Sequence, residues 1–214
     1  MPTTSDNNKR IAKNTLMLYF RMLVMMAVSL YTSRVVLDTL GVSDYGIYNV
    51  VGGFVTMFSL ISGAMTTATQ RFLSFAIGEG KTDEVTSLFS TAVIIHIGLA
   101  LIILLLGETV GVWFVSTQMN FPAGRYNAAI WVFEFSLLTF LVSVINVPYN
   151  AAIIAYEKMS AFAYISIIEV VLKLVIVYLL LITPFDRLIF YAILMAIVQL
   201  GVQMIYASYT HRKI

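Results

Sequence analysis

An all-α integral membrane protein is the fold class this sequence predicts, and three observations predict it. Of its 214 residues, 60% are hydrophobic and only 11% are charged, where a soluble domain carries about 25% charged residues and under 50% apolar ones. The mean hydropathy is +0.90. Finally, apolar stretches of about 20 residues, the length an α-helix needs to cross hydrocarbon, recur along the chain between short polar loops. So much apolar surface cannot be hidden inside a small water-soluble particle, and the expected partner of the surface is the lipid bilayer.

Six spans meet the length criterion, at 14–37, 46–69, 86–106, 127–148, 160–182 and 188–209. The segment before them, 1–13, is polar and then basic ("MPTTSDNNKRIAK"), like the start of a signal peptide. The apolar run behind it is too long for a cleaved leader of about 7–15 apolar residues and contains Arg21. It therefore reads as a retained first helix, giving a short N-terminal segment, 1–13, and a helical bundle, 14–214. The connections "DTLGVSD", "GEGKTDE", "STQMNFPAG", "AYEKM" and "TPFD" carry turn chemistry. The third span runs on past Gly107, with Trp113 and Phe114 placed as an interfacial aromatic belt.

Orientation follows from the basic residues. One side holds Lys9, Arg10, Lys13, Arg71, Lys81, Lys158, Arg212 and Lys213; the other holds Arg125, Arg187 and, if it reaches outward, Arg34. Positive residues accumulate in the cytoplasm, so both termini are expected to be cytoplasmic, as an even number of spans requires.

The charges within the spans are the candidate functional groups. At 1.5 Å rise per residue, Arg21 lies roughly 10 Å inside the first span, Glu134 roughly 12 Å below the far end of the fourth, and Glu169 and Lys173 in the middle of the fifth. Ionisable groups at such depth usually face a bundle interior or a wet cavity. Glu169 and Lys173 stand at i, i+4 with the acid first, so they either neutralise each other locally or face a cavity together. Arg21 either reaches back to the headgroups along its apolar stem or serves as an interior cation. Glu134 has no partner in "WVFEFSLL" and must be paired across helices or protonated. Arg34, four residues before Asp38, reads as a surface or locally paired cation, and His96 as a packing residue. Thr66, Thr67, Gln70 and Arg71 form a small, hydroxyl-rich end to the second span, which suits either close helix packing or the cytoplasmic mouth of a cavity. Asn146, Pro148 and Asn150 suggest a kinked, polar end to the fourth.

Other functions lack their signatures. A net charge of +2 with scattered basic residues gives no nucleic-acid footprint, and cysteine is absent. No phosphate-binding glycine loop and no HExxH zinc pair occurs, and "GVSD" (Gly41–Asp44) does not amount to a nucleophile elbow. The chain is expected not to be an enzyme and to carry no cofactor or metal. Transport is the default for a polytopic chain with interior charges.

The stretch "LYTSRVVLDTLGVSDYGIYNVVGGFVTMFSLISGAMTTATQRFLSFAIGEG" (30–80) resembles the start of the polysaccharide and O-antigen repeat-unit flippases. The resemblance rests on Leu40, Gly41, Asp44, Tyr45, Gly46 and Tyr48, and on the small, hydroxyl-bearing end of the second span at Ala68 to Arg71. "VPYNAAIIAYEKMSAFAYISIIEVVLKLVIVYLLL" is similar to that family's junction between helices 4 and 5. These proteins belong to the multidrug/oligosaccharidyl-lipid/polysaccharide (MOP) exporter superfamily. The resemblance implies a MATE-like architecture of two six-helix lobes around a central cavity, of which this chain supplies the N-terminal one. It also implies an activity: moving an undecaprenyl-diphosphate-linked oligosaccharide across the bacterial inner membrane for lipopolysaccharide or other surface polysaccharide synthesis. Arg21 and Lys173 would then meet the diphosphate, with Glu134 or Glu169 as balancing or proton-coupling groups. The partner would be a second lobe or a second copy. The alternatives are a cation-coupled exporter of drug-like solutes and a six-helix membrane subunit or fragment that transports nothing.

Overall fold

The computed structural model describes residues 4–213, and side chains over 12–59 and 62–212. The side chains of Lys9, Arg10 and Lys213, and residues 1–3 of the N-terminal segment, lie outside the described residues. Seven α-helices follow one another: α1 (Thr4–Thr56), α2 (Ser59–Gly78), α3 (Thr82–Leu106), α4 (Val112–Thr117), α5 (Tyr126–Ala155), α6 (Met159–Ile182) and α7 (Arg187–Lys213). A π-helical turn, Gly107–Gly111, joins α3 to α4 without a break. No strand occurs among the described residues, as hydrocarbon demands of a chain that must satisfy its backbone internally.

Five helical stretches are long and apolar enough to cross a membrane: Ala12–Thr56, Thr82–Thr117, Tyr126–Ala155, Met159–Ile182 and Arg187–Arg212. The first, at 45 residues, would extend roughly 68 Å as a straight rod, about twice a bilayer core. It is not straight. Gly41 has φ 78° and ψ 165°, a backbone conformation that glycine adopts without steric cost, and the helix turns there.

The structure differs from two sequence-based expectations. "DTLGVSD" is not a loop, because helix runs up to Leu40 and resumes beyond Gly41. The span expected at 46–69 is not one helix either: its first part is the second arm of α1, its last part belongs to α2, and Met57 and Phe58 form a turn between them. In that turn the amides of Met57 and Phe58 bond the carbonyls of Phe54 and Val55, three residues back, at 3.2 Å each. The break falls at the centre of the expected span. By contrast, α5 runs through Pro148 without ending, although that residue has no N–H to donate.

α5 is the axis of the bundle, packing against α1, α2, α3, α6 and α7. Its Val132, Phe133, Leu137, Leu141 and Val144 are buried with Ile47, Val51 and Val55 of the second arm of α1, Ala100 and Ile103 of α3, and Leu188 and Ala192 of α7. The first arm of α1 instead lies along α6, where Val36 packs with Ile176, Val177 and Leu180. Large apolar side chains such as Leu16, Leu30, Ile94, Leu105 and Met204 point outward, and in a bilayer they are the lipid surface.

Side chains of α5 press directly on the backbone of the π-helical turn. A Cβ on Gly107 would stand 2.5 Å from Leu137 Cδ2, and one on Gly111 would stand 2.6 Å from Phe133 Cζ. Both partners are fully buried. Glycines four residues apart thus leave room on the third span for the Leu137 and Phe133 side chains of α5, as small residues do at membrane helix contacts. Gly107→Ala and Gly111→Ala are each expected to destabilise the chain by about 1–3 kcal/mol through overpacking. Gly98→Ala, on the same rod with nothing within 4 Å, is expected to be neutral. Thermal unfolding of detergent-solubilised protein reads the difference.

Candidate functional site

The helix break opens onto a groove of about 190 Å³ between the second arm of α1, α5 and α7. Tyr48, Gly52 and Thr56 line it from α1, Ser136, Thr139 and Ser143 from α5, and Met195 from α7. On α5 the polar positions 136, 139, 143, 146 and 150 recur at alternating steps of three and four, so they share one helical face. Toward the other end this face carries Asn146 and Asn150, whose Oδ1 atoms are buried without a partner, as is Oε1 of Gln203 on α7. Unpaired oxygens cost several kcal/mol each in hydrocarbon, so a polar seam of this kind is a place for water or for a polar ligand.

A second cluster lies on the α1–α6–α7 side. The Arg21 guanidinium carbon stands 4.3 Å from the centre of the Phe162 ring, a cation–π contact, and Arg21 Nε is buried with no hydrogen-bond partner. Tyr206 of α7 packs against the same Phe162, and its hydroxyl lies within electrostatic reach of Glu169 and Arg21. Lys173 Nζ donates to Glu169 Oε1 at 2.6 Å. The pair is closed on itself, as i, i+4 spacing allows, so Lys173 offers less free charge than Arg21. Phe162 belongs to the first turn of α6.

Glu134 stands apart from these three. Its carboxyl group lies beside that of Glu108 in the π-helical turn. The four intramembrane candidates therefore form two separate groups, not one midplane cluster. Glu108 is the residue that sequence reasoning missed. "GETVG" (107–111) carried the signal, since its two glycines force the close approach to α5 that sets Glu108 beside Glu134.

The remaining candidates are peripheral to both groups. Thr66 and Thr67 hydroxyls donate to the carbonyls of Ser62 and Gly63 at 2.8 and 3.2 Å, Gln70 is half-buried and Arg71 exposed. Arg34 and Asp38 are exposed and form no ion pair among the described residues. His96, expected to be a packing residue, is completely buried. Among the described residues no three of His, Asp and Glu come together as metal ligands would.

At the bundle end opposite the termini, charge staples the loops. Arg125 donates to Asp44, just past the Gly41 turn, and to Asp186, before α7. Asp186 also accepts from the Leu188 amide at 3.0 Å, capping α7, and Arg187 Nη1 reaches the Thr39 carbonyl at 3.2 Å. Asp44 is buried. Arg125→Gln leaves that carboxylate unpaired and is expected to cost about 1–3 kcal/mol. That is less than the roughly 3–5 kcal/mol of a fully buried pair, because Arg125 itself is partly solvated. Chemical denaturation in detergent, with Asp44→Asn as a partner variant, measures it.

Neither a family model nor any curated protein nor any solved structure matches the chain.

Proposed function

We propose that this chain is one lobe of a membrane transporter that carries a lipid-linked oligosaccharide of the undecaprenyl-diphosphate class from the cytoplasmic to the periplasmic leaflet of a bacterial inner membrane. The termini face the cytoplasm, and a second lobe or a second copy completes the cavity. The observation that carries the transporter reading is the interrupted helix at Met57–Phe58 opening on a hydroxyl-lined groove. Broken helices at bilayer depth are tolerated where they line a cavity, and many transporters build their sites from them.

The cargo is argued from the resemblance over residues 30–80 and from Arg21. A diphosphate that leaves water needs fixed donors and positive charge in exchange. Arg21 holds a planar cation against Phe162 with its Nε–H unspent, and a guanidinium stays charged at any relevant pH. The hydroxyls of Thr139 and Ser143 donate to the carbonyls of Phe135 and Phe140 at 2.7 Å each, so their oxygens are left, with the Ser136 hydroxyl, as neutral contacts for the sugar. No catalytic step belongs to this reading, and the protein is a transporter without enzyme activity.

A second reading, the cation-coupled export of small solutes, is favoured by the Glu108–Glu134 pair, two carboxyl groups brought together between neighbouring helices.

The test is reconstitution. Proteoliposomes containing the chain, alone and with a complementary lobe, are assayed for translocation of a fluorescent polyprenyl-diphosphate sugar and for proton-driven uptake of a cationic dye. Sugar-lipid translocation that falls about 10–100-fold in Arg21→Ala, the loss of one charged hydrogen-bonding group, and is partly kept in Arg21→Lys supports the first reading. Dye uptake abolished by Glu134→Gln, with sugar-lipid left unmoved, replaces it with the second. Translocation of neither leaves a membrane subunit that does not transport.

A further inference from the structure

The polar side-chain atoms of the groove between the second arm of α1, α5 and α7 are hydroxyls alone. No lining side chain is charged or carries an N–H, and Met195 contributes only a thioether. Three of the hydroxyls have already committed their hydrogens. Thr56 donates to the Gly53 carbonyl at 2.8 Å, and Thr139 and Ser143 donate to the carbonyls of Phe135 and Phe140 at 2.7 Å each. What such a hydroxyl keeps is lone pairs, so toward a guest these three oxygens are acceptors. Ser136, on the same wall, makes no hydrogen bond among the described residues and can either donate or accept. None of the four residues is buried; their side chains stand at the open surface of the groove.

Size and depth narrow the occupant further. At about 190 Å³ the groove is a little larger than the roughly 150 Å³ cavity that holds one benzene, which gives room for a single substituted six-membered ring. Tyr48, Phe135 and Phe140 supply flat apolar surface beside the hydroxyls. Ser136 to Ser143 lie roughly 15–26 Å along α5 from its first residue, Tyr126, so a charge brought to them is surrounded by protein and hydrocarbon, not by bulk water.

Resting on the oligosaccharide-transporter reading, we infer that this groove selects one uncharged sugar ring, bound through its own hydroxyl hydrogens, and rejects the same ring carrying a carboxylate or an ammonium group. A neutral ring exchanges its hydroxyl–water bonds for donation to Thr56, Thr139 and Ser143. An ionised carboxylate loses its water and meets acceptor oxygens, with Ser136 as the one hydroxyl left to donate. An ammonium group finds acceptors but no counter-charge: Glu134, two residues before Ser136, lies against Glu108 and does not line the groove. Either ion therefore carries an uncompensated desolvation cost. The chain thus divides its chemistry, with cationic contact at Arg21 and neutral hydroxyl contact in the groove, as suits a cargo whose charge is confined to its diphosphate.

The experiment uses the whole chain in lipid nanodiscs, labelled with carbon-13 at its methionine methyls. Met195 lines the groove, and the resonance lost in Met195→Leu assigns it. The probes are butyl glucoside, butyl glucuronide and butyl glucosaminide, which share ring and tail and are neutral, negative and positive at about pH 6. Affinities are corrected for partition into protein-free nanodiscs. The glucoside is expected to move the Met195 resonance saturably and to bind about 100-fold tighter than either charged probe. Thr139→Val, which keeps the outline of the side chain and removes one acceptor, is expected to weaken the glucoside about tenfold. A glucuronide that binds as tightly as the glucoside overturns the inference, as does a Met195 resonance that no probe moves. A glucosaminide that binds as tightly or more tightly overturns it too, and turns the groove toward the cation-coupled reading. The three probes on the unsubstituted chain decide by themselves if Thr139→Val does not fold. Binding here requires no transport, so the two proposals fail separately. Glucoside selectivity without sugar-lipid translocation upholds the neutral-sugar site and removes the transporter; translocation without glucoside binding keeps the transporter and overturns the site.

Discussion

Hydrocarbon offers no partner to a backbone N–H or C=O, and the architecture of this chain follows from that constraint. Each segment in the bilayer must close its own hydrogen bonds, so every described element is helical. Each place where the ladder is interrupted must be compensated by what surrounds it. The chain has few such places: the Gly41 bend, the Met57–Phe58 turn, Pro148 and the π-helical turn at Gly107–Gly111. The bend lies beside the Asp44–Arg125–Asp186 staple, the turn borders the hydroxyl groove, and the π-helical turn brings Glu108 against Glu134. Irregular backbone and polar chemistry coincide because the same protein interior shelters both.

α5 makes that coincidence possible. One of its faces supplies the apolar core through Phe133, Leu137, Leu141 and Val144. The neighbouring face supplies Ser136, Thr139, Ser143, Asn146 and Asn150. A single rigid helix therefore fixes the groove relative to the core, and the close contact at Gly107 and Gly111 fixes the third span against the same rod. The first arm of α1 has a different environment. It meets α6, where Val36, Tyr31 and Arg21 find their partners. Arg21 is thus carried by a peripheral arm, and Glu134 by the central helix, which separates the cationic and acidic groups.

The fold class was legible in the sequence because burial in lipid leaves a compositional mark that no local detail can hide. The starts of the last three spans and the end of the fifth were also close to legible, since Gly, Pro and acidic residues punctuate them, whereas the fourth was expected to end at 148 and runs through Pro148 to Ala155. The region around 38–58 was not. A glycine in "DTLGVSD" looks the same whether it closes a loop or bends a continuous helix, and Met57–Phe58, both apolar, interrupt the hydrogen-bond ladder without changing hydropathy. Counting from the start of a span places only the Cα of Arg21, and its guanidinium lies over Phe162 in the first turn of α6. The local Glu169–Lys173 pair was readable because i, i+4 geometry belongs to one helix. Glu108–Glu134 joins two helices through a contact that only the packing of two glycines creates.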